Sequence, residues 1–231
     1  MSSSEQTADF RALLEAAAKL QRAIPDAVLV GGTAAALHAH HRVSFDHDHV
    51  VQDLKSRYAA IADSLDNLDG WAVDDNASSV PMTILGSLDG TDAGLRNLRR
   101  SRPLEVEDYP LPSGESLRIP TEDETLRVKA YLAAQRNSVR DLMDVAALSH
   151  HVGRDHAAKV IAAMDEYYGD KPDKEPVVTK VVRVLAKCEP RDTTHLSSLT
   201  SYKGLDPGWT DWERIKHECR ALAAAVATRR D

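Results

Sequence analysis

The sequence predicts an α/β protein of the α+β kind, a mixed half to about residue 120 and an all-helical half after it. Three patterns carry that expectation. The apolar run Ala27-Val28-Leu29-Val30 ends in Gly31-Gly32 and opens the alanine-rich stretch Thr33 to His40, which reads as strand, glycine turn, helix. Residues Arg42 to Val51 (RVSFDHDHVV) alternate as a strand does. From Thr121 onward, apolar residues recur at helical spacing nearly to the end of the chain.

In order, Phe10, Leu13, Leu14, Ala17 and Leu20 mark an amphipathic helix over Asp9 to Arg22, closed by Pro25. The glycine turn and its helix follow. In the strand from Arg42 to Val51, alternation puts Ser44, Asp46, Asp48 and Val50 on one face and Phe45, His47, His49 and Val51 on the other. Leu54, Tyr58, Ile61 and Leu65 mark the next helix. Between residues 70 and 120, Gly, Pro and Ser punctuate short apolar stretches such as Val80 to Leu85 and Leu117 to Ile119, where the remaining strands are expected, with a basic helical piece at Leu95 to Arg102. Thr121-Glu122-Asp123-Glu124 reads as a capping box opening the helix that carries Lys129. Helices at about 139–151, 154–168, 175–187 and 211–229 follow, separated by Gly153, the Gly169–Pro172 stretch and the loop from Pro190 to Trp209. The division expected is 1–120 and 121–231.

Composition bounds the function. No run approaches the roughly 18–20 apolar residues of a membrane span, and the opening MSSSEQTADF lacks the features of a signal peptide. A cytoplasmic protein is expected. The 231 residues carry 29 Lys+Arg against 36 Asp+Glu, a net charge of −7, which argues against broad duplex binding and leaves room for one local basic face. Cys188 and Cys219 lie far apart in sequence with no CxxC spacing and read as two ordinary thiols.

The sharpest chemical feature is Asp46-x-Asp48. An i, i+2 pair on a strand projects both carboxylates from one face, a donor set suited to Mg²⁺ (or Mn²⁺), which takes hard oxygen ligands and keeps positions for phosphate. Gly31-Gly32 at a helix start lets backbone N–H groups approach phosphates, and Thr33 adds a hydroxyl donor. Five histidines, His38, His40, His41, His47 and His49, fall within twelve residues. A zinc site through His38 and His41 and an HD-type phosphohydrolase through His47-Asp48 are both conceivable readings, and the valine-flanked strand argues against the second. Basic clusters stand at Arg96, Arg99, Arg100 and Arg102, and at Lys216, His217, Arg220, Arg229 and Arg230, with Trp209 and Trp212 as stacking candidates or packing anchors.

The order strand, Gly-Gly, helix, Asp-x-Asp strand resembles the DNA polymerase β-like nucleotidyltransferase superfamily. GGTAAALHAHHRVSFDHDHVV together with RVKAYLAAQRNSVRDLMDVAAL is similar to the AbiEii/MenT-type nucleotidyltransferase toxins of bacterial toxin-antitoxin systems. The match falls on Gly31, Gly32, Arg42, Ser44, Asp46 and Asp48, then Lys129, Arg140, Asp141 and Asp144. It implies a small mixed-sheet nucleotidyltransferase core flanked by helices, followed by a helical bundle that contributes Lys129 and Asp144 to the site. The implied reaction moves an NMP from an NTP to an acceptor hydroxyl with release of pyrophosphate. Asp46 and Asp48 hold the metal; Gly31, Gly32, Thr33, Ser44 and Arg42 bind nucleotide; Lys129 neutralises phosphate charge; Asp144 orients Lys129 or the acceptor. The tRNA 3′ end is the preferred acceptor, translation the process blocked, and a cognate antitoxin the protein partner. Alternatives are transfer to a protein hydroxyl or a small molecule, and a catalytically silent nucleotide- or partner-binding module. The last draws on a departure from the superfamily: Val80 to Leu85 contains no third acid, so that Asp89, Glu105 or Glu107 would have to substitute. Phosphorylation of Ser44 is expected to block nucleotide entry.

Overall fold

The computed structural model describes residues 3–169, 175–196, 199 and 204–229, with side chains from residue 8 onward except at 195. The chain divides into two compact units, residues 1–34 with 43–121 and residues 35–42 with 122–231.

In the first unit α1 (Ser3–Ala23) precedes β1 (Val28–Leu29), and α2 (Gly31–Ala39) starts there and ends in the second unit. Then come β2 (Asp46–Val51), α3 (Leu54–Asp66), β3 (Trp71–Val73), β4 (Thr83–Leu88), β5 (Thr91–Asn97), β6 (Val106–Pro110) and β7 (Ser116–Pro120). The mixed sheet runs β1-β2-β5-β4-β3, with β2 parallel to β5 and the other pairs antiparallel, while β6 and β7 form a separate antiparallel pair. One face of this sheet is apolar. Val51, Ala93, Leu95, Ile84 and Leu88 pack with Leu20 and Ile24 of α1 and Leu54, Ile61 and Leu65 of α3. By strand alternation the opposite face of β2 carries Asp46 and Asp48, so the packing of two helices on one side fixes which side the carboxylates take.

The second unit holds α4 (Glu122–Arg136), α5 (Val139–Val152), α6 (Arg154–Ala162), α7 (Asp165–Tyr168), α8 (Val177–Lys187) and α9 (Trp212–Ala227). Their apolar faces meet in one core that includes Leu126, Leu142, Met143, Leu148, Val181, Leu185, Ile215 and Leu222. Ser138 caps α5 by accepting from the Asp141 amide, and Asp211 caps α9 by accepting from the Glu213 amide.

Several sequence expectations need correction. Leu95 to Arg102 is not a helix: Leu95 is buried in the sheet, paired with His49 and Ile84, and Arg100 donates to the carbonyls of Arg102 and Pro103 in the loop beyond. The strand expected from Arg42 begins at Asp46, and the strand expected at Val80 begins at Thr83, after a cis Val80-Pro81 bond. The helix expected over 154–168 is interrupted between Ala162 and Asp165. The two cysteines, distant in sequence, are both buried free thiols as expected, and Cys219 donates to the Leu142 carbonyl oxygen. The neighbouring Cys219, with Arg220 and Lys216, pulls the Cys188 thiol down against the effect of burial, while Cys219 is pushed well up. Most of the Gly169–Pro172 stretch, part of the Pro190–Trp209 loop and Arg230 lie outside the described residues.

Candidate functional site

Gly31 starts α2 with φ +74°, a left-handed conformation that glycine adopts without penalty. The position is also a close approach: a Cβ there would stand 3.6 Å from the Asp48 Cβ and 3.7 Å from its Oδ2. The glycine turn and the second carboxylate are therefore neighbours, and the first free N–H groups of α2 begin beside Asp48. Thr33 turns its hydroxyl inward, donating to the Asp46 carbonyl oxygen at 2.6 Å, which ties the helix to the start of β2. Ser44 lies before β2, yet its hydroxyl donates to Asp46 Oδ1 at 2.9 Å and holds that carboxylate's rotamer. Ser44 is 3% exposed, with its hydroxyl engaged on that carboxylate.

The parallel register pairs Asp46 with Asp92, Asp48 with Gly94 and Val50 with Arg96, so these six positions share one sheet face. Gly94 makes room for Asp48, since a Cβ at 94 would meet Asp48 Oδ1 at 2.6 Å and Leu85 Cδ2 at 2.8 Å. The Asp48 carboxylate leans across β5, with Oδ1 3.6 Å from Arg96 Nε. Among the described residues no group of three or more His, Cys, Asp or Glu side chains is placed to hold a metal ion. The three acids considered as substitutes are placed elsewhere. Asp89 pairs with Lys19 at 2.9 Å, Glu105 lies 3.6 Å from Arg102, and Glu107 is in the separate β6–β7 pair. Two carboxylates beside a glycine-lined space suit one hard divalent cation completed by water and phosphate oxygens.

Behind the carboxylates, His47 and His49 are fully buried and their rings meet edge to face, 5.4 Å between centroids. Burial lowers His47 to about 4 against the opposing pull of Asp46, and burial followed by the neighbouring His47 lowers His49 well below the usual range. Neither ring nitrogen of His47 has a hydrogen-bond partner. Both histidines are neutral core residues at neutral pH.

Of the remaining matched residues, Arg42, Lys129, Asp141 and Asp144 form a second cluster wholly inside the second unit, while Arg140 is exposed. Asp144 is 0% exposed and accepts from His41 Nε2 at 2.7 Å, from Arg42 Nε at 2.8 Å and from Arg42 Nη2 at 3.1 Å, with Lys129 Nζ at 2.6 Å from Oδ2. Burial pushes its carboxyl up, but Arg42, Lys129 and the bonds from His41 and Arg42 outweigh that and hold it well below the usual range. An ionised carboxylate only accepts, so His41 Nε2 carries a proton. Four donors fill its lone-pair positions, leaving Asp144 an anchor for two cations. Lys129 also lies 3.5 Å from Asp141, whose other oxygen takes the Ser138 hydroxyl. Of the stacking candidates, Trp209 is buried, with the Arg214 guanidinium 4.5 Å over its ring, and acts as a packing anchor.

Sequence reasoning missed Asp92 and the place of Arg96 on the carboxylate face. The signal was the alternation Asp92, Gly94, Arg96, hidden because a strand was read as a basic helix.

No family model matches the chain. It is 31% identical over 245 residues to the heme uptake protein MmpL11 of Mycobacterium tuberculosis (strain ATCC 25618 / H37Rv), covering 95% of this chain and 23% of that protein. It is 37% identical over 130 residues to the mycolic acid-containing lipids exporter MmpL11 of Mycolicibacterium smegmatis, covering 56% of this chain and 13% of that one. The chain thus spans less than a quarter of these relatives, and none of its described helices is long and apolar enough to cross a membrane. Among solved structures, JHP933 from Helicobacter pylori superposes with a TM-score of 0.55 at 18% identity, covering 99% of this chain and 94% of that one. MenT4, a nucleotidyltransferase toxin from Mycobacterium tuberculosis H37Rv, gives 0.51 at 14% identity, covering 98% and 86%. The glycine turn, the mixed sheet with its carboxylate strand and the helical half together make this chain a protein of the MenT-type nucleotidyltransferase fold.

Proposed function

We propose that the protein is a metal-dependent nucleotidyltransferase toxin that moves an NMP from an NTP to an acceptor hydroxyl, with the tRNA 3′ end as acceptor. The observation that carries the reading is the close approach of Gly31, at the start of α2, to Asp48 on a strand whose same face bears Asp46. A helix N-terminus favours phosphate, and paired carboxylates favour the cation that accompanies it. A bound Mg²⁺ or Mn²⁺ would supply Lewis-acid stabilisation of charge on the transferred phosphoryl group. The chain's part is to orient. Ser44 fixes Asp46, Thr33 ties α2 to β2, and Gly31 and Gly32 offer backbone N–H groups to phosphate oxygens. The proposed roles of Lys129 and Arg42 as phosphate cations, oriented by Asp144, rest on the sequence resemblance. Pyrophosphate is the leaving group, and a cognate antitoxin is the expected partner.

The test is incubation of the purified protein with each labelled NTP, Mg²⁺ or Mn²⁺, and total tRNA, beside Asp46→Ala. Label in tRNA that the variant does not produce supports the reading. Label confined to protein or to a small molecule changes the acceptor. A catalytically silent module is the second reading, favoured by the match of 95% of this chain to less than a quarter of a protein named for transport. No label under any nucleotide and metal condition would select it.

A further inference from the structure

We infer that Arg96 is a substrate-binding residue of the first unit, a built-in counter-cation that neutralises Asp48 before the metal binds and pairs with the nucleotide's phosphates afterwards. This rests on the nucleotidyltransferase reading and adds a residue to it. Arg96 stands on β5 beside Val50 of β2, on the face that carries Asp46 and Asp48. The absence of a Cβ at Gly94 lets the Asp48 carboxylate lie across β5, and its Oδ1 comes 3.6 Å from Arg96 Nε. The guanidinium therefore sits on this face within reach of the same oxygen that a cation would use. The side chain is 44% exposed, so it is free to swing away at little cost.

Three carboxylates, Asp46, Asp48 and Asp92, and one cation leave the face a net charge of −2, which suits one divalent ion less well than the acids alone would. Arg96 and the metal therefore compete for Asp48. Once the metal holds that carboxylate, the guanidinium needs another anion. A triphosphate whose oxygens complete the metal's coordination presents one, and the planar five-donor fork of arginine matches phosphate oxygens. A second positive charge beside the phosphates would then come from the chain itself.

Mn²⁺ binding, followed by loss of the free-ion electron paramagnetic resonance signal, separates the two parts. Without nucleotide, Arg96→Gln and Arg96→Ala should bind Mn²⁺ about threefold to tenfold more tightly than wild type at low salt, with the difference shrinking as salt screens the exposed charge. In saturating Mn²⁺, the same variants should bind a non-hydrolysable NTP analogue about tenfold more weakly, and Arg96→Lys should recover part of that loss. Circular dichroism checks that the variants are folded. Unchanged or weaker Mn²⁺ binding by both neutral variants overturns the counter-cation role, and unchanged analogue affinity overturns the phosphate role. Wild type that binds no Mn²⁺, or binds it equally well as Asp48→Asn, overturns the metal-site reading itself, so the two failures are distinguishable.

Discussion

Replacing Asp144 with alanine tests whether the second cluster is held together by one buried carboxylate. The substitution removes the partner of Arg42 at 2.8 and 3.1 Å, of His41 at 2.7 Å and of Lys129 at 2.6 Å, and leaves Lys129 only Asp141 at 3.5 Å. The groups left behind are buried: Arg42 and His41 are 8% and 0% exposed at the side chain, and Lys129 is 6%. Breaking a buried pair by removing one partner costs about 3–5 kcal/mol, because the surviving charges stay out of water. For a protein of this length that is a fall of roughly 6–20 °C in the unfolding temperature. The assay is thermal or urea unfolding in a Trp71→Phe background, where the emission comes from Trp209 and Trp212, both in the helical unit. The pH dependence has a definite sign. Asp144 has a folded value held well below its ordinary one, so its stabilisation is fully present above the unfolded carboxylate value of about 4 and is lost as pH falls through the folded value. The stability gap between wild type and Asp144→Ala should therefore be level from about pH 5 to 8 and narrow in stronger acid. A loss under about 1 kcal/mol at pH 7, within the range of surface ion pairs, would refute the anchor role.

Other expectations follow from the first unit. His47→Leu removes a fully buried ring with two unpartnered nitrogens, so urea unfolding should show it neutral to more stable by about 1 kcal/mol; a loss above about 2 kcal/mol would show that the ring has a partner. Because burial depresses wild-type His47 to about 4, its stability contribution is present above the unfolded value near 6.5 and is lost as pH falls between the two, and the variant should lack that part of the acid slope. Gly94→Ala would drive a Cβ to 2.6 Å from Asp48 Oδ1, displacing that carboxylate; nucleotide transfer should drop about tenfold to a hundredfold with the circular dichroism spectrum unchanged, and full activity would remove Asp48 from the site. Gly31→Ala forces a side chain into φ +74° and should cost about 1–2 kcal/mol in chemical denaturation, a cost that Gly32→Ala should not share.

How much was legible varies with the range of the interaction. The glycine turn, the acid pair and the placing of His47 and His49 on the face opposite the acids follow from local periodicity, and each appears where the periodicity put it. Leu95 to Arg102 failed because four arginines in eight residues resemble a solvated helix face, while Leu95 is committed to the sheet by partners at His49 and Ile84. That Cys188 and Cys219 are neighbours was invisible, since it depends on how α8 meets α9.

By itself, the sequence determined the order of elements outside residues 95–102, the two motifs and the opposite facing of the acids and histidines on β2, because strand and helix periods are properties of neighbouring residues. Only the tertiary structure decided that β5 lies parallel beside β2, that Gly94 yields its space to Asp48, that Arg96 reaches the same carboxylate, and that His41, Arg42 and Lys129 share Asp144. These are meetings between residues 15 to 103 positions apart, and no local spacing encodes a register or a shared buried charge.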